Sequence, residues 1–126
     1  MILLLSSEPV VRTAIKEVLE HAGHVVLATG SLEVAVATLA QGKVGLLITH
    51  PYIDNITGHQ AAKYLQARNP KMGVLIVAGL LDDDRLKYRA AVEGFEIFPP
   101  PFTGAQLIEK VAEVLKTAQE RAAHIA

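Results

Sequence analysis

Apolar and polar positions alternate along this chain on two length scales. Short apolar runs at residues 2–5, 25–28, 44–48 and 74–78, with a weaker one at 96–98, are separated by longer amphipathic stretches. The runs are continuous rather than alternating, which is the pattern of parallel strands covered on both faces. In the first amphipathic stretch Val11, Ile15, Val18 and Ala22 recur at spacings of three and four, with Ser7 as N-cap, Pro9 in the first turn and Gly23 as terminator. The second begins at Ser31, places Leu32, Ala35, Val36 and Leu39 on one face, and stops at Gly42. The third covers residues 58–68 and is ended by Asn69-Pro70, because the residue before a proline is driven out of the helical region. The fourth opens in Asp82-Asp83-Asp84, which supplies a cap and favourable dipole charge, and closes at Gly94. The fifth starts after Thr103 and turns Leu107, Val111, Val114 and Ala118 inward.

Strand and helix alternating in this way, at roughly 20 to 25 residues per pair, predict an α/β protein with a parallel sheet and helices on both sides. Closing a (β/α)8 barrel takes about twice this length. An open, doubly wound sheet of five strands with five helices remains, filling residues 1–126 as a single domain. No internal repeat or low-complexity tract is visible, and Pro99-Pro100-Pro101 only separates strand from helix.

Composition narrows the function classes. With 51% hydrophobic residues, 20% charged residues and a mean hydropathy of +0.32, the chain lacks the signature of disorder. Twelve Lys and Arg against thirteen Asp and Glu leave a net charge of -1, so nothing drives the chain as a whole toward nucleic acid or an anionic membrane. The longest mainly apolar stretch, residues 72–81, is about half of what a membrane span requires. Residues 2–5 follow no basic segment and meet Ser6-Ser7-Glu8 at once, too short for a signal-peptide core, so a cytoplasmic location is expected. The absence of cysteine removes disulfides, thiolate metal sites and a cysteine nucleophile.

In an open α/β sheet the ligand crevice lies at the carboxyl ends of the strands. The segments there are Ser6-Ser7-Glu8, Thr29-Gly30-Ser31, Thr49-His50 through Gly58, Ala78 through Asp84, and Pro99 through Phe102. None holds the glycine pattern of a dinucleotide site, a P-loop, or the nucleophile elbow of a hydrolase. No enzyme activity, metal or cofactor is expected.

The landmarks that remain are the run 2–5 followed by Ser6-Ser7-Glu8-Pro9, then Leu46-Leu47-Ile48-Thr49-His50 with Gly58 eight positions on, then Pro100-Pro101-Phe102 before the last helix. In order and spacing these resemble the receiver domain of two-component response regulators over nearly the whole chain. The resemblance implies a flavodoxin-like fold with strand order 2-1-3-4-5. It also implies an acidic pair holding Mg²⁺ after the first strand, a phosphoryl-accepting Asp after the third, a hydroxyl after the fourth and a Lys after the fifth. Here those positions carry Ser6 and Ser7, His50, Ala78 and Pro100, and the aromatic switch position carries Ile97. Two hydroxyls do not replace the carboxylates that a hard divalent cation needs, and a proline offers neither charge nor N–H. The expectation is a degenerate pseudo-receiver that phosphorylation does not control.

Two other uses of the crevice stay open: a small anionic ligand held by Ser6, Ser7, Thr49 and His50, or phosphotransfer through His50. A ligand set of His50, Asp54 and His59 has no recognised metal spacing, and the favoured role of His50 is a ring filling the former acid pocket. Ser7 is assigned to helix capping and Asp82-Asp83-Asp84 to a cap and solvated loop. Leu80 and Leu81 either fold over the pocket or face a partner. The stripe of the last helix continues from Val111 and Ala118 through Ala122 to Ile125, past the length that a sheet covers. A signalling protein or a second copy of the chain is the expected partner, with no nucleic acid and no membrane involved. The candidate faces are this stripe and, as the resemblance implies, Lys87, Tyr88 and Ile97.

Overall fold

The structure, a computed structural model, describes residues 1–41, 44–50, 52–53, 56–77, 96–98 and 103–125. Its elements in chain order are β1 (Ile2–Leu5), α1 (Pro9–His21), β2 (Val26–Thr29), α2 (Leu32–Gln41), β3 (Leu46–Thr49), β4 (Tyr52–Ile53), β5 (Ile56–Thr57), α3 (Gly58–Arg68), β6 (Gly73–Val77), β7 (Glu96–Phe98) and α4 (Gly104–Ile125). Strands β2, β1, β3, β6 and β7 form one sheet in that order, and every pairing in it is parallel. The first four reproduce the expected order 2-1-3-4, with the short β7 beside β6. The helix expected from Asp82 to Gly94 lies outside the described residues, as does the stop at Gly42.

The continuous apolar runs are explained by the sheet's two covered faces. Successive side chains of a strand point to opposite sides. Leu3 and Leu5 of β1 join Leu47, Val74 and Ile76 against α2 and α3, where Ala35, Ala61, Ala62 and Leu65 meet them. Ile2 and Leu4 join Leu46, Ile48, Leu75 and Val77 against α1 and α4, where Ile15, Leu19, Leu107, Val111 and Val114 meet them. Each residue of β1 is therefore buried, whichever way it points.

Helix α1 is rotated from the expected face. Ile15 and Leu19 are its buried residues, Val18 is half-buried, and Val11 and Ala22 are exposed. Arg12, three positions before Ile15, takes the place on the inner seam that Val11 was expected to hold. Gly23 ends this helix at φ 95°, its amide on the Glu20 carbonyl at 3.0 Å and the His24 amide on the Leu19 carbonyl at 3.1 Å. That pair of bonds is a Schellman motif, and the left-handed residue it needs is the reason for glycine here.

Two local devices were not expected. Strands β4 and β5 pair antiparallel as a small separate hairpin inside what reads as a loop. Helix α4 begins with a reciprocal capping box: Gln106 N–H donates to Thr103 Oγ1 at 3.1 Å, and Thr103 N–H donates to Gln106 Oε1 at 2.8 Å. Farther along α4, the helix lies so close to β6 that a Cβ on Gly73 would come within 3.1 Å of Ala118 Cβ. Among the described residues no helix is long and apolar enough to cross a membrane.

Candidate functional site

The parallel sheet brings the ends of β1, β2 and β3 to one edge. Leu5 is in register with Thr29 on one side and Thr49 on the other, so the next residues, Ser6, Gly30 and His50, leave the sheet together. Three sequence candidates, Ser6, Ser7 and His50, are therefore at this edge, while Ala78 and Pro100 lie outside the described residues.

Ser6 is fully buried, and its amide, carbonyl and hydroxyl oxygen each have a partner. Its amide donates to the Thr29 carbonyl at 3.0 Å. Its Oγ accepts the Glu8 amide at 3.2 Å, a Ser turn that bends the chain from β1 into α1. Its carbonyl accepts from Arg12 Nη1 at 2.6 Å. The expected cap at Ser7 is not found: Glu8, with an extended backbone, holds the N-cap position, Pro9 follows it, and no side chain caps the helix. The Ser6 turn orders the Glu8 amide from one residue earlier, and Pro9 at the first helical position has no amide left to satisfy.

The end of β2 repeats this arrangement. Thr29 Oγ1 accepts the Ser31 amide at 3.0 Å, and Ser31 Oγ then caps α2 by accepting the Val34 amide at 3.3 Å. Gly30 between them leaves room for the guanidinium, since a Cβ there would come within 2.7 Å of Arg12 Nη1 and 3.2 Å of the Ser6 carbonyl. At the end of β3, Thr49 is fully buried and its Oγ1 donates to the His50 carbonyl at 3.1 Å. His50 is half-buried with its Nδ1 buried.

Arg12 is the residue of this edge that the sequence reading passed over. The available signal was its position: a cation three residues before Ile15 sits on a seam that is otherwise apolar, so its charge needs a partner there. Ser6 supplies one through its carbonyl.

These residues do not fit Mg²⁺. The ion binds through hard oxygens, several of them carboxylate or water. At this edge the hydroxyls of Ser6 and Thr49 are committed to the backbone, Glu8 is exposed, and a guanidinium already lies on the Ser6 carbonyl. A second cation beside it would be repelled. Among the described residues no group of three or more His, Cys, Asp or Glu is placed to hold a metal.

The proposed interaction residues divide. Val111 and Ala118 are 0% and 4% exposed, so the chain's own sheet accounts for their apolar character and neither is available to a partner. Ala122 and Ile125 are within α4, which continues beyond Ala118, and Ile97 is within β7. Lys87 and Tyr88 lie outside the described residues, as do Leu80, Leu81 and Asp82-Asp83-Asp84.

Comparison with known proteins agrees with this architecture. The sequence matches the response regulator receiver domain model over residues 2–112. It is similar to the solved response regulator receiver protein from Sinorhizobium medicae WSM419, with 25% identity, a TM-score of 0.77, and 93% of this chain and 94% of that one covered. It shares its fold with a receiver domain protein from Clostridium thermocellum, at 24% identity, a TM-score of 0.80 and coverage of 99% and 98%. The same holds for a CheY-like receiver domain protein from Methanospirillum hungatei JF-1, at 17% identity, a TM-score of 0.85 and coverage of 95% and 96%. No curated protein matches the sequence. With the family model spanning most of the chain and the sheet order of the fold in place, the chain belongs to the response regulator receiver domain family.

Proposed function

We propose that this receiver domain is a phosphorylation-independent signalling module, a pseudo-receiver that acts by binding another protein and catalyses no reaction of its own. Receiver domains interact with other signalling proteins, and the partner here is such a protein or a second copy of the chain, met in the cytoplasm. The observation that carries the reading is Ser6. Where the family has a carboxylate for Mg²⁺, this residue is buried, its hydroxyl turned to the Glu8 amide and its carbonyl to Arg12. His50 stands in the acceptor position, and phosphoryl transfer to it would lack the divalent ion that neutralises developing charge in this chemistry. The anionic-ligand alternative is weaker, because Thr49 already donates its hydroxyl proton to the His50 carbonyl and Ser6 is fully buried.

Treatment with acetyl phosphate and Mg²⁺, followed by intact-mass spectrometry under neutral conditions that preserve phosphohistidine and phosphoaspartate, tests this reading. Unmodified protein is the expected result. A phosphoryl adduct that disappears in the variant His50→Gln would assign the acceptor to His50 and end the phosphorylation-independent reading.

A further inference from the structure

The outward face of α3 carries a cation stacked on an exposed aromatic ring. Its inner positions Ala61, Ala62 and Leu65 are fully buried, while Gln60, Lys63, Tyr64, Ala67 and Arg68 face out and Lys71 follows in the turn. Tyr64 is 44% exposed, and the Arg68 guanidinium lies 3.8 Å above its ring centroid. The same guanidinium donates to the Tyr64 hydroxyl at 2.7 Å and to the Tyr64 carbonyl at 3.3 Å. Arg68 is thus fixed flat on an aromatic platform with three of its five N–H donors still unspent.

Acidic residues are scarce in the sequence around it. Between Asp54 and Asp82 the sequence contains no acidic residue, and it contains Lys63, Arg68 and Lys71. Among the described residues, the ion pairs are Lys16–Glu20 on α1 and Lys110–Glu113 on α4, on the other side of the sheet. Arg68 and Lys71 pair with no described carboxylate. Glu33, the acidic residue of the neighbouring α2, is in the first turn of that helix, whereas Arg68 is in the last turn of α3. Both helices run back from the carboxyl edge of the sheet, so these two charges sit at opposite ends of the layer. The helix dipole accounts for a cation in the last turn of α3. It does not account for a large aromatic side chain left in water beneath that cation.

We infer that the α3 surface formed by Tyr64, Arg68 and Lys71 is a docking site for an acidic segment of a partner protein. A guanidinium held planar presents its donors in the fork that a carboxylate accepts, and its immobilisation lowers the ordering cost of binding. Tyr64 adds apolar contact area at the same spot. The extent of the patch selects a protein over a nucleic acid: Tyr64 and Arg68 are one helical turn apart, about 6 Å along the axis, with Lys71 in the turn that follows, room for the carboxylates of one or two helical turns but not for a phosphate track, on a chain of net charge -1. This inference concerns α3 alone and holds whether or not the edge at Ser6 ever takes a phosphoryl group.

The test is fluorescence anisotropy on the full chain with a fluorescein-labelled, Glu-rich helical peptide, alongside single-stranded oligothymidine and vesicles of phosphatidylserine and phosphatidylcholine. The peptide is expected to bind saturably and more weakly as salt rises. Arg68→Glu and Lys71→Glu should each weaken it by at least about fivefold, and Arg68→Lys should weaken it although charge is kept. The double reversal should instead bind the matching Lys-rich peptide, which shows that the variant is folded and the surface intact. Absence of peptide binding, indifference to both reversals, or binding of oligothymidine or vesicles at least as tight as that of the peptide would overturn the inference.

Discussion

The two edges of the sheet solve one physical problem with different chemistry. At the amino edge, Gly45 N–H donates to the Met1 carbonyl at 2.9 Å, and Gly73 N–H donates to the Gly45 carbonyl at 3.0 Å. Asn69 Nδ2 reaches the Val44 carbonyl at 3.0 Å, and Gln66 Nε2 reaches the Met72 carbonyl at 3.1 Å, so the end of α3 is tied to the strands on either side of it. At the carboxyl edge the same work of satisfying strand-end backbone falls to Ser6, Thr29, Arg12 and Thr49. The groups at the amino edge serve helix termination and close packing, with no alternative use. Of those at the carboxyl edge, Ser6 stands where the family resemblance implies a carboxylate. The fold tolerates that exchange because a hydroxyl or a guanidinium satisfies a buried amide or carbonyl as well as a carboxylate-centred network does. On the reading proposed above the chemistry does not tolerate it, since neither group offers the anionic oxygens of a metal site.

This difference is sharpest at the two glycines. Gly73→Val at the amino edge forces atoms against Ala118 Cβ, Val114 Cγ1 and Leu46 Cδ1, which a Cβ alone would meet at 3.1, 3.2 and 3.4 Å. All three neighbours are buried, and overpacking of this kind costs about 3 kcal/mol. Gly30→Ala at the carboxyl edge meets the mobile end of Arg12 first, so the guanidinium swings away and about 1.5 kcal/mol is lost with its bond to Ser6. Urea denaturation of the two variants ranks them. Equal losses would mean that Arg12 is held as rigidly as the core and would erase the distinction between the edges.

Arg12→Met comes next. It preserves the unbranched stem against the Ile15 seam and leaves the Ser6 carbonyl without its charged donor, at a cost of about 1.5 to 2 kcal/mol. Because the bond orders the turn between β1 and α1, hydrogen exchange should accelerate at the Glu8 amide more than at amides of β6. Uniform acceleration across both sites would show that Arg12 contributes only global stability.

Much of this architecture was legible in the sequence, for a definite reason. Runs such as 2–5 and 46–49 are buried on both faces, so burial leaves an unbroken apolar signal that local chemistry does not disguise. The turn of α1 was harder. Val11 was expected to face the core yet is exposed, as is its neighbour Val10 at 82%, because Arg12 takes the inner seam with its bond to the Ser6 carbonyl, and a side chain-to-carbonyl bond leaves no periodicity. The β4–β5 hairpin has too few residues per strand to show alternation. At the site, Ser6 and His50 were found by position, but their orientation was not, since one hydroxyl can cap a helix, face a ligand or turn back on its own strand. Only the fold decides among those, and it places the Ser6 hydroxyl on the Glu8 amide.

The smallest expected effect is none at all, and it tests the contrast most directly. Wild-type protein in Mg²⁺, with or without beryllofluoride, should melt where it melts in chelator, because a ligand raises stability only by binding the folded state. The Ser6 carbonyl is occupied by Arg12, and neither Ser7 nor His50 supplies an anionic oxygen. The double variant Ser7→Asp, His50→Asp returns two carboxylates to this edge and leaves the Ser6 turn and the Arg12 bond in place. At Mg²⁺ ten times above its dissociation constant, that variant should gain about 1.4 kcal/mol, the value given by the binding relation RT ln(1 + [L]/Kd). A wild-type shift of that size would show that the hydroxyls hold the ion after all. Silence from both proteins would locate the block in the Arg12 guanidinium, and adding Arg12→Met to the double variant should then release it.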